Sequence, residues 1–170
     1  MDIKYFRAMK NVDRLSRHLK HRSYNLLEHC YMVGILFMGL ANKEGIEFGV
    51  KELDIIFKHD ILESITSDLP WDIKNYSTET KEAWNIIEKA ICDSDDQFEK
   101  YSDESIKNSL NKAQYELFKV CDYLDLWIFC KEEQTLGNTS ESMQTVISNC
   151  EKLITGKFFW VDKFISNYEK

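Results

Sequence analysis

An all-α domain is what this sequence predicts, and three observations carry the prediction. A single proline and six glycines in 170 residues leave long stretches of chain uninterrupted. Apolar residues return at helical spacing in one segment after another. No stretch alternates apolar and polar residues as a half-buried strand does, and nothing repeats at a period of ~20–50 residues. The length suits one domain spanning residues 1–170, a bundle of about six helices.

Residues 3–20 carry apolar groups loosely spaced for a first helix. RSYNLLEH then supplies a start signal, with Asn25 at the N-cap position and Glu28 three residues on, the spacing of a capping box. Leu26, Cys30, Val33, Phe37 and Leu40 follow at helical period until residues 42–49 interrupt them. Leu53, Ile56, Phe57 and Ile61 mark the next helix. The SDLP loop ends it, because Pro70 lacks an N–H and its ring blocks the preceding turn. A fourth helix runs from about Ser77 to Cys92, with Ala83, Ile86, Ile87, Ala90 and Ile91 apolar. The acidic stretch CDSDDQFEKYSDES reads as a solvated connection. Residues 105–135 form a long helix bearing Leu110, Leu117, Phe118, Cys121, Leu124 and Ile128, closed by LGNTS with Gly137 or Asn138 as the C-cap. A final helix covers roughly 140–153, and a short one includes Phe159, Trp160 and Phe164, which close the core or join a subunit face.

Charge narrows the function. The chain carries a net charge of −7 and a pI near 5.2, which excludes a nucleic-acid polymer as partner, since duplex binding rests on phosphate neutralisation by Lys and Arg. Small phosphate-bearing ligands remain open, because a pocket can be basic on an acidic protein. The five cysteines are odd in number and form no CxxC pair, so they read as reduced core residues of a cytoplasmic protein. MDIKYFRAMK has no signal-peptide core, and the longest apolar run, YMVGILFMGLA, is shorter than the ~20 residues a membrane span needs. No membrane partner is expected.

The chemistry concentrates in FKHDILESITSDLP, residues 57–70, an apolar run that nonetheless holds His59, Asp60, Glu63 and Asp68. On a helix, Glu63 shares a face with His59 and Asp60, and the adjacent His and Asp reach one point beside the axis. An HD dipeptide alone is weak, since a helix-end histidine beside a solvated aspartate looks the same. Company on other apolar helices strengthens it: His29 in NLLEHCYMV, and Asp122 in LFKVCDYLDLWIF, where a charge among aromatic neighbours needs a partner. Two histidines and two aspartates make a four-ligand N/O site suited to one divalent transition metal, Co, Mn, Zn, Fe or Ni, sooner than Mg or Ca.

Three segments carry a resemblance. Thirteen residues separate Arg14 from the pair Glu28–His29, HDILESITSDLPWDIK occupies 59–74, and KVCDYLDLWIFCKEEQTLGN occupies 119–138. Together they resemble the HD-domain metal-dependent phosphohydrolases, and more closely the bacterial 5′-deoxynucleotidases with their phage-encoded relatives. In that family the middle segment reads approximately HDxxExxTGDLPxPxK, and the last is KxxD followed by a helix ending in EE and GN. The resemblance implies an HD-domain bundle around a metal site, with His29, His59, Asp60 and Asp122 as ligands. Asp125, one turn after Asp122, competes for that role, and the KxxD register favours Asp122.

By the same resemblance Glu63 handles the attacking water, Asp68 lies beside the scissile phosphate, and Arg14 and Lys74 grip phosphate oxygens. His18 lines the substrate site. Three positions depart from the family pattern: Leu15 stands where the deoxynucleotidases often have Trp, Ser67 where they have Gly, and Asp72 where they have a second Pro. Leu15 bears on the wall that reads base and sugar, and so on the substrate more than on the chemistry. Glu28 reads as a cap, His21 as a surface residue, and Trp71 and Trp127 as core. The expectation is a metal-dependent phosphohydrolase removing the 5′-phosphate from (deoxy)nucleoside monophosphates, as a homodimer or larger homo-oligomer. A deoxynucleoside triphosphate triphosphohydrolase keeps the site and changes the substrate; a non-catalytic binding protein on the same fold is the rival of another class.

Overall fold

The computed structural model describes residues 2–74 and 76–168; the Trp71 side chain, expected in the core, lies outside the described set. Among the described residues the chain forms ten α-helices and one 3-10 helix, joined without a β-strand. The all-α expectation holds. The helices outnumber the expected six because several segments read as continuous are broken where the site needs them broken.

The first break follows α1, Ile3–Met9. A helix was expected to residue 20, but the backbone turns away to pair with the segment entering α2, Leu26–Glu44. Arg14 N–H donates to the Tyr24 carbonyl at 2.8 Å and Leu26 N–H to the Val12 carbonyl at 3.0 Å, in place of helical bonds. Asn25 caps α2 as the sequence indicates, its side chain accepting from the Glu28 N–H at 3.0 Å. Gly45 ends it in the left-handed conformation, φ 70°.

The second break makes the site. After α3, Val50–Ile56, the expected helix gives way to turns before α4, Glu63–Thr66. Lys58, Ile61 and Glu63 donate their N–H groups to the carbonyls three residues back, at 3.1, 2.9 and 2.9 Å. The Ile56 carbonyl is taken by the His59 imidazole through Nδ1 at 2.8 Å. Gly34 of α2 permits this course, since a Cβ there would stand 2.2 Å from the Phe57 ring. α5, Trp71–Lys74, starts directly after Pro70, where the missing N–H costs nothing.

In α6, Thr78–Ser94, the inward face is set by Trp84, Glu88, Ile91 and Cys92. Of the expected apolar stripe only Ile91 packs inward; Ala83 and Ala90 are exposed, as are Ile86 at 69% and Ile87 at 45%. The acidic connection is also corrected. It contains a 3-10 helix, Asp96–Tyr101, whose Phe98 and Tyr101 are buried. The predicted long helix then divides into α7, Asp103–Ser109, and α8, Lys112–Thr135, because Asn111 and Gln114 exchange capping bonds at the junction. α9, Glu141–Ile154, and α10, Phe159–Tyr168, close the chain.

Two cores result. The larger packs α2 against α8, α9 and α10, and includes Trp127, fully buried as expected, whose indole N–H donates to Glu151 Oε1 at 3.1 Å. The smaller gathers Met9, Leu26, Cys30, Ile61, Leu62 and Phe98 under α1 and α4. Burying each such side chain contributes about 1.5–3 kcal/mol. The aromatic tail packs as well, Phe158, Trp160 and Phe164 lying against the larger core while Phe159 is exposed. All five cysteines are free thiols. No helix among the described residues is long and apolar enough to cross a membrane.

Candidate active site

His29 enters from the first turn of α2, Asp122 from the middle of α8, and His59 with Asp60 from the turns between α3 and α4. Burial of the two apolar cores drives these three segments together. Their side chains meet around the two imidazoles. His29 Nε2 lies 3.3 Å from His59 Nε2, 3.2 Å from Asp122 Oδ1 and 3.7 Å from Asp60 Oδ2. His59 Nε2 lies 3.4 Å from Asp60 Oδ2 and 3.9 Å from Asp122 Oδ1.

These contacts fit a cation. The Ile56 carbonyl only accepts, so His59 Nδ1 carries a proton, and Asp125 Oδ2 receives the Nδ1–H of His29 at 2.7 Å. A ring whose one proton is at Nδ1 turns its Nε2 lone pair inward, and here both Nε2 atoms face the same space. Two lone pairs at that distance repel unless a positive charge stands between them. A tetrahedral ion with ligand bonds of ~2.0–2.1 Å separates its ligands by roughly 3.3–3.4 Å. The His29–His59 and His29–Asp122 separations of 3.3 and 3.2 Å are close to that. His29, His59 and Asp122 form one group able to hold an ion, with Asp60 3.4 Å from His59 in a second such group.

Asp122 is tuned for such a role. Lys119 Nζ donates to its Oδ2 at 2.6 Å, leaving Oδ1 toward the histidines. Burial would raise the Asp122 carboxyl, but Lys119 and the two histidines hold it well below the ordinary carboxylate range. The Asp60 carboxyl is likewise held well below the ordinary range against its burial, by His59 first and then by Arg14, whose Nη1 lies 2.6 Å from the same Oδ2 that faces the histidines.

Beside this cluster stands Glu63, buried at the start of α4. Lys74 Nζ donates to its Oε1 at 2.6 Å, and Arg14 Nη1 lies 3.7 Å from its Oε2, an atom with no hydrogen-bond donor among the described residues. Burial, and next the Asp60 charge, push Glu63 up to about 8. Asp68 is half-buried and near enough for its charge to act on both Arg14 and Glu63. The expected group of Arg14, Glu63, Asp68 and Lys74 is therefore assembled. Leu15 and His18 sit on the same loop as Arg14 and are half-buried. Leu15 packs against the larger core with a positive φ of 53°, and His18 Nδ1 has no hydrogen-bond partner among the described residues. Above them Arg17 pairs with Asp72, which gives that departure from the family pattern a partner.

Asp125 lies on the other side of His29, away from the His29–His59–Asp122 group. It accepts from His29 Nδ1 and from the Tyr24 hydroxyl, both at 2.7 Å. Its spacing of one turn from Asp122 was a signal for this, since two acids at that interval reach opposite nitrogens of one imidazole. Tyr24, stacked on Phe129 with centroids 4.1 Å apart, gave no signal in the sequence.

A family model described as 5′-deoxynucleotidase YfbR-like matches residues 3–170. The 5′-deoxynucleotidase YfbR of Salmonella typhi is 26% identical over 144 residues, which span 76% of this chain and 71% of that protein. An HD-domain phosphohydrolase of Listeria innocua superposes with a TM-score of 0.74 at 14% identity, covering 99% of this chain and 88% of the other. The HD phosphohydrolase DatZ of cyanophage S-2L, solved bound to dA and one catalytic Zn2+ ion, superposes with a TM-score of 0.69 at 15% identity over 98% of both chains. At these identities the structural likeness establishes a shared fold.

Proposed function

The chain belongs to the YfbR-like 5′-deoxynucleotidase family and is a metal-dependent nucleotide phosphohydrolase, and on that premise we propose that it removes the 5′-phosphate from deoxynucleoside monophosphates. The observation that carries this reading is the meeting of His29, His59, Asp60 and Asp122 beside the Arg14–Glu63–Lys74 cluster. The deoxyadenosine held by the cyanophage enzyme supports a deoxynucleoside-bearing ligand.

In this reading the four residues hold one divalent ion, which supplies Lewis acidity and lowers the pKa of a bound water. Two carboxylates neutralise such an ion, so the attraction for phosphate comes from the protein's cations. Arg14 and Lys74 exchange their contacts with Asp60 and Glu63 for phosphate oxygens. Glu63, freed on one side, orients the attacking water and takes its proton, and a carboxyl held near neutrality is suited to that. The proton that Glu63 takes then passes to the leaving 5′-oxygen, with Asp68, near Glu63, as its carrier, so both carboxyls end as they began.

The test is a panel of dNMPs, NMPs and dNTPs with Co2+ or Mn2+, read by the phosphorus product. Orthophosphate from dNMPs is expected. Tripolyphosphate from dNTPs would assign the triphosphohydrolase reading, and no turnover with any metal the non-catalytic one. We also infer a cytoplasmic homo-oligomer, in which a second copy covers the outward stripe of α6. Light scattering on the wild type and Ile86→Glu tests it, with a smaller particle expected from the variant.

A further inference from the structure

Residues 10–25 make a long connection with no helix of its own, and such connections in a compact domain are usually functional. Its neck is clasped. Asp13 pairs with Asn25 as an isolated bridge, and Arg14 N–H donates to the Tyr24 carbonyl. Between those points the chain swings outward, as in an Ω-loop. Lys20 draws the loop together from inside, reaching the Arg14 carbonyl and, at 2.7 Å, Asp13 Oδ1.

The far side is held by a carboxylate the catalytic chemistry does not use. Glu133, in the last turns of α8, is fully buried. Its Oε2 accepts from the His21 N–H at 2.6 Å, and its Oε1 from the Arg22 N–H at 3.2 Å and Arg22 Nε at 3.3 Å. Asn138, also buried, donates one amide to Glu133 Oε2 at 3.3 Å and to the Leu19 carbonyl at 2.7 Å. A buried carboxylate is tolerated only when its oxygens are occupied, and here nearly every occupant comes from one surface loop.

We propose that Glu133, assisted by Asn138, is a positioning residue for substrate selection, latching the loop that carries Leu15 and His18 so that it forms a fixed wall for the base and sugar. The proposal rests on the nucleotide phosphohydrolase reading of the site. Arg14 is fixed through its backbone at the neck, its N–H on the Tyr24 carbonyl and its own carbonyl held by Lys20, whereas Leu15 is held in the left-handed region and His18 Nδ1 has no hydrogen-bond partner among the described residues. Loosening the latch therefore spares the phosphate grip and blurs the wall.

The experiment compares wild type with Glu133→Gln, whose amide turns an NH2 toward N–H donors. Three quantities are read: amide exchange across residues 15–23, cobalt affinity, and the ratio of kcat/KM for a dNMP over p-nitrophenyl phosphate. Faster exchange, a ratio lowered at least tenfold through KM, and cobalt affinity within about twofold are expected. If Glu133→Gln does not fold, Asn138→Ala, which frees the Leu19 carbonyl and leaves the carboxylate, takes the same readouts. Faster exchange with an unchanged ratio overturns the proposal alone, and so does a parallel loss of both activities with cobalt affinity. A wild type that hydrolyses no nucleotide overturns the functional reading and the proposal with it.

Discussion

Asp125 holds His29 from behind, its Oδ2 accepting the Nδ1–H at 2.7 Å while Nε2 faces His59 at 3.3 Å. The bond sets the tautomer and the ring angle, and it makes Nε2 a better donor. Asp125→Ala is therefore expected to weaken metal affinity by about 10–100-fold without emptying the ligand shell. Chelator competition with Co2+ measures it. Affinity equal to the wild type would show that packing around Tyr24 and Phe129 suffices to orient the ring.

His59→Ala and Asp122→Ala remove donors that nothing else replaces. Each is expected to abolish tight metal binding and turnover together, measured by metal content after gel filtration and by phosphate release. Retained turnover in either would sink the ligand assignment. A loss confined to turnover would move the residue out of the shell and into the reaction.

Glu63→Gln separates chemistry from assembly. Glu63 touches Lys74 and faces Arg14, and no contact with the two histidines is needed to place it. The expected result is a fall in kcat of ~10²–10⁴ with metal affinity kept. Equal losses in both would make Glu63 a structural acid of the metal site.

The sequence was most informative where chemistry is local. The Asn25 cap and the Pro70 stop were readable because each depends on neighbours within a turn, whereas His59 and Asp60 lie in turns between α3 and α4 and not on the helix face their spacing suggested. The course of residues 10–25 was not, since it is fixed by Glu133 and Asn138 more than a hundred positions away. The outward face of α6 was misread for a related reason. Two apolar stripes compete on that helix, and the packing of Ile91 and Cys92 against the smaller core turns the buried Trp84 inward with them. Phe98 and Tyr101 were hidden in an acidic stretch whose average polarity masked two anchors.

Ser67 stands at φ 66°, ψ 166°, a backbone region essentially reserved for glycine. Such a residue costs of order 1–3 kcal/mol. Replacing it with glycine relieves that strain but returns about 0.5–1 kcal/mol to the unfolded chain as entropy. Ser67→Gly is thus expected to gain about 1 kcal/mol, a rise in Tm of ~2–4 °C for a domain of this size. Calorimetry reads the rise, and an unchanged or lower Tm would mean that the Ser67 hydroxyl contributes a contact worth as much as the strain.

Glu88 offers a pH signature away from the metal. It is half-buried on α6, accepts the Trp84 indole N–H at 2.9 Å, and is pushed up to about 7 by burial and next by the Asp103 carboxylate. The unfolded chain releases this proton near 4.5, whereas the folded protein keeps it until about 7. The bound proton therefore favours folding fully below 4.5, and that contribution is lost as pH rises through 7. Glu88→Gln stays neutral and keeps an acceptor for Trp84, so it is expected to exceed the wild type in stability more at pH 8 than at pH 5. Urea unfolding at the two values measures the difference. A gap that does not widen with pH would place the Glu88 titration in its ordinary range.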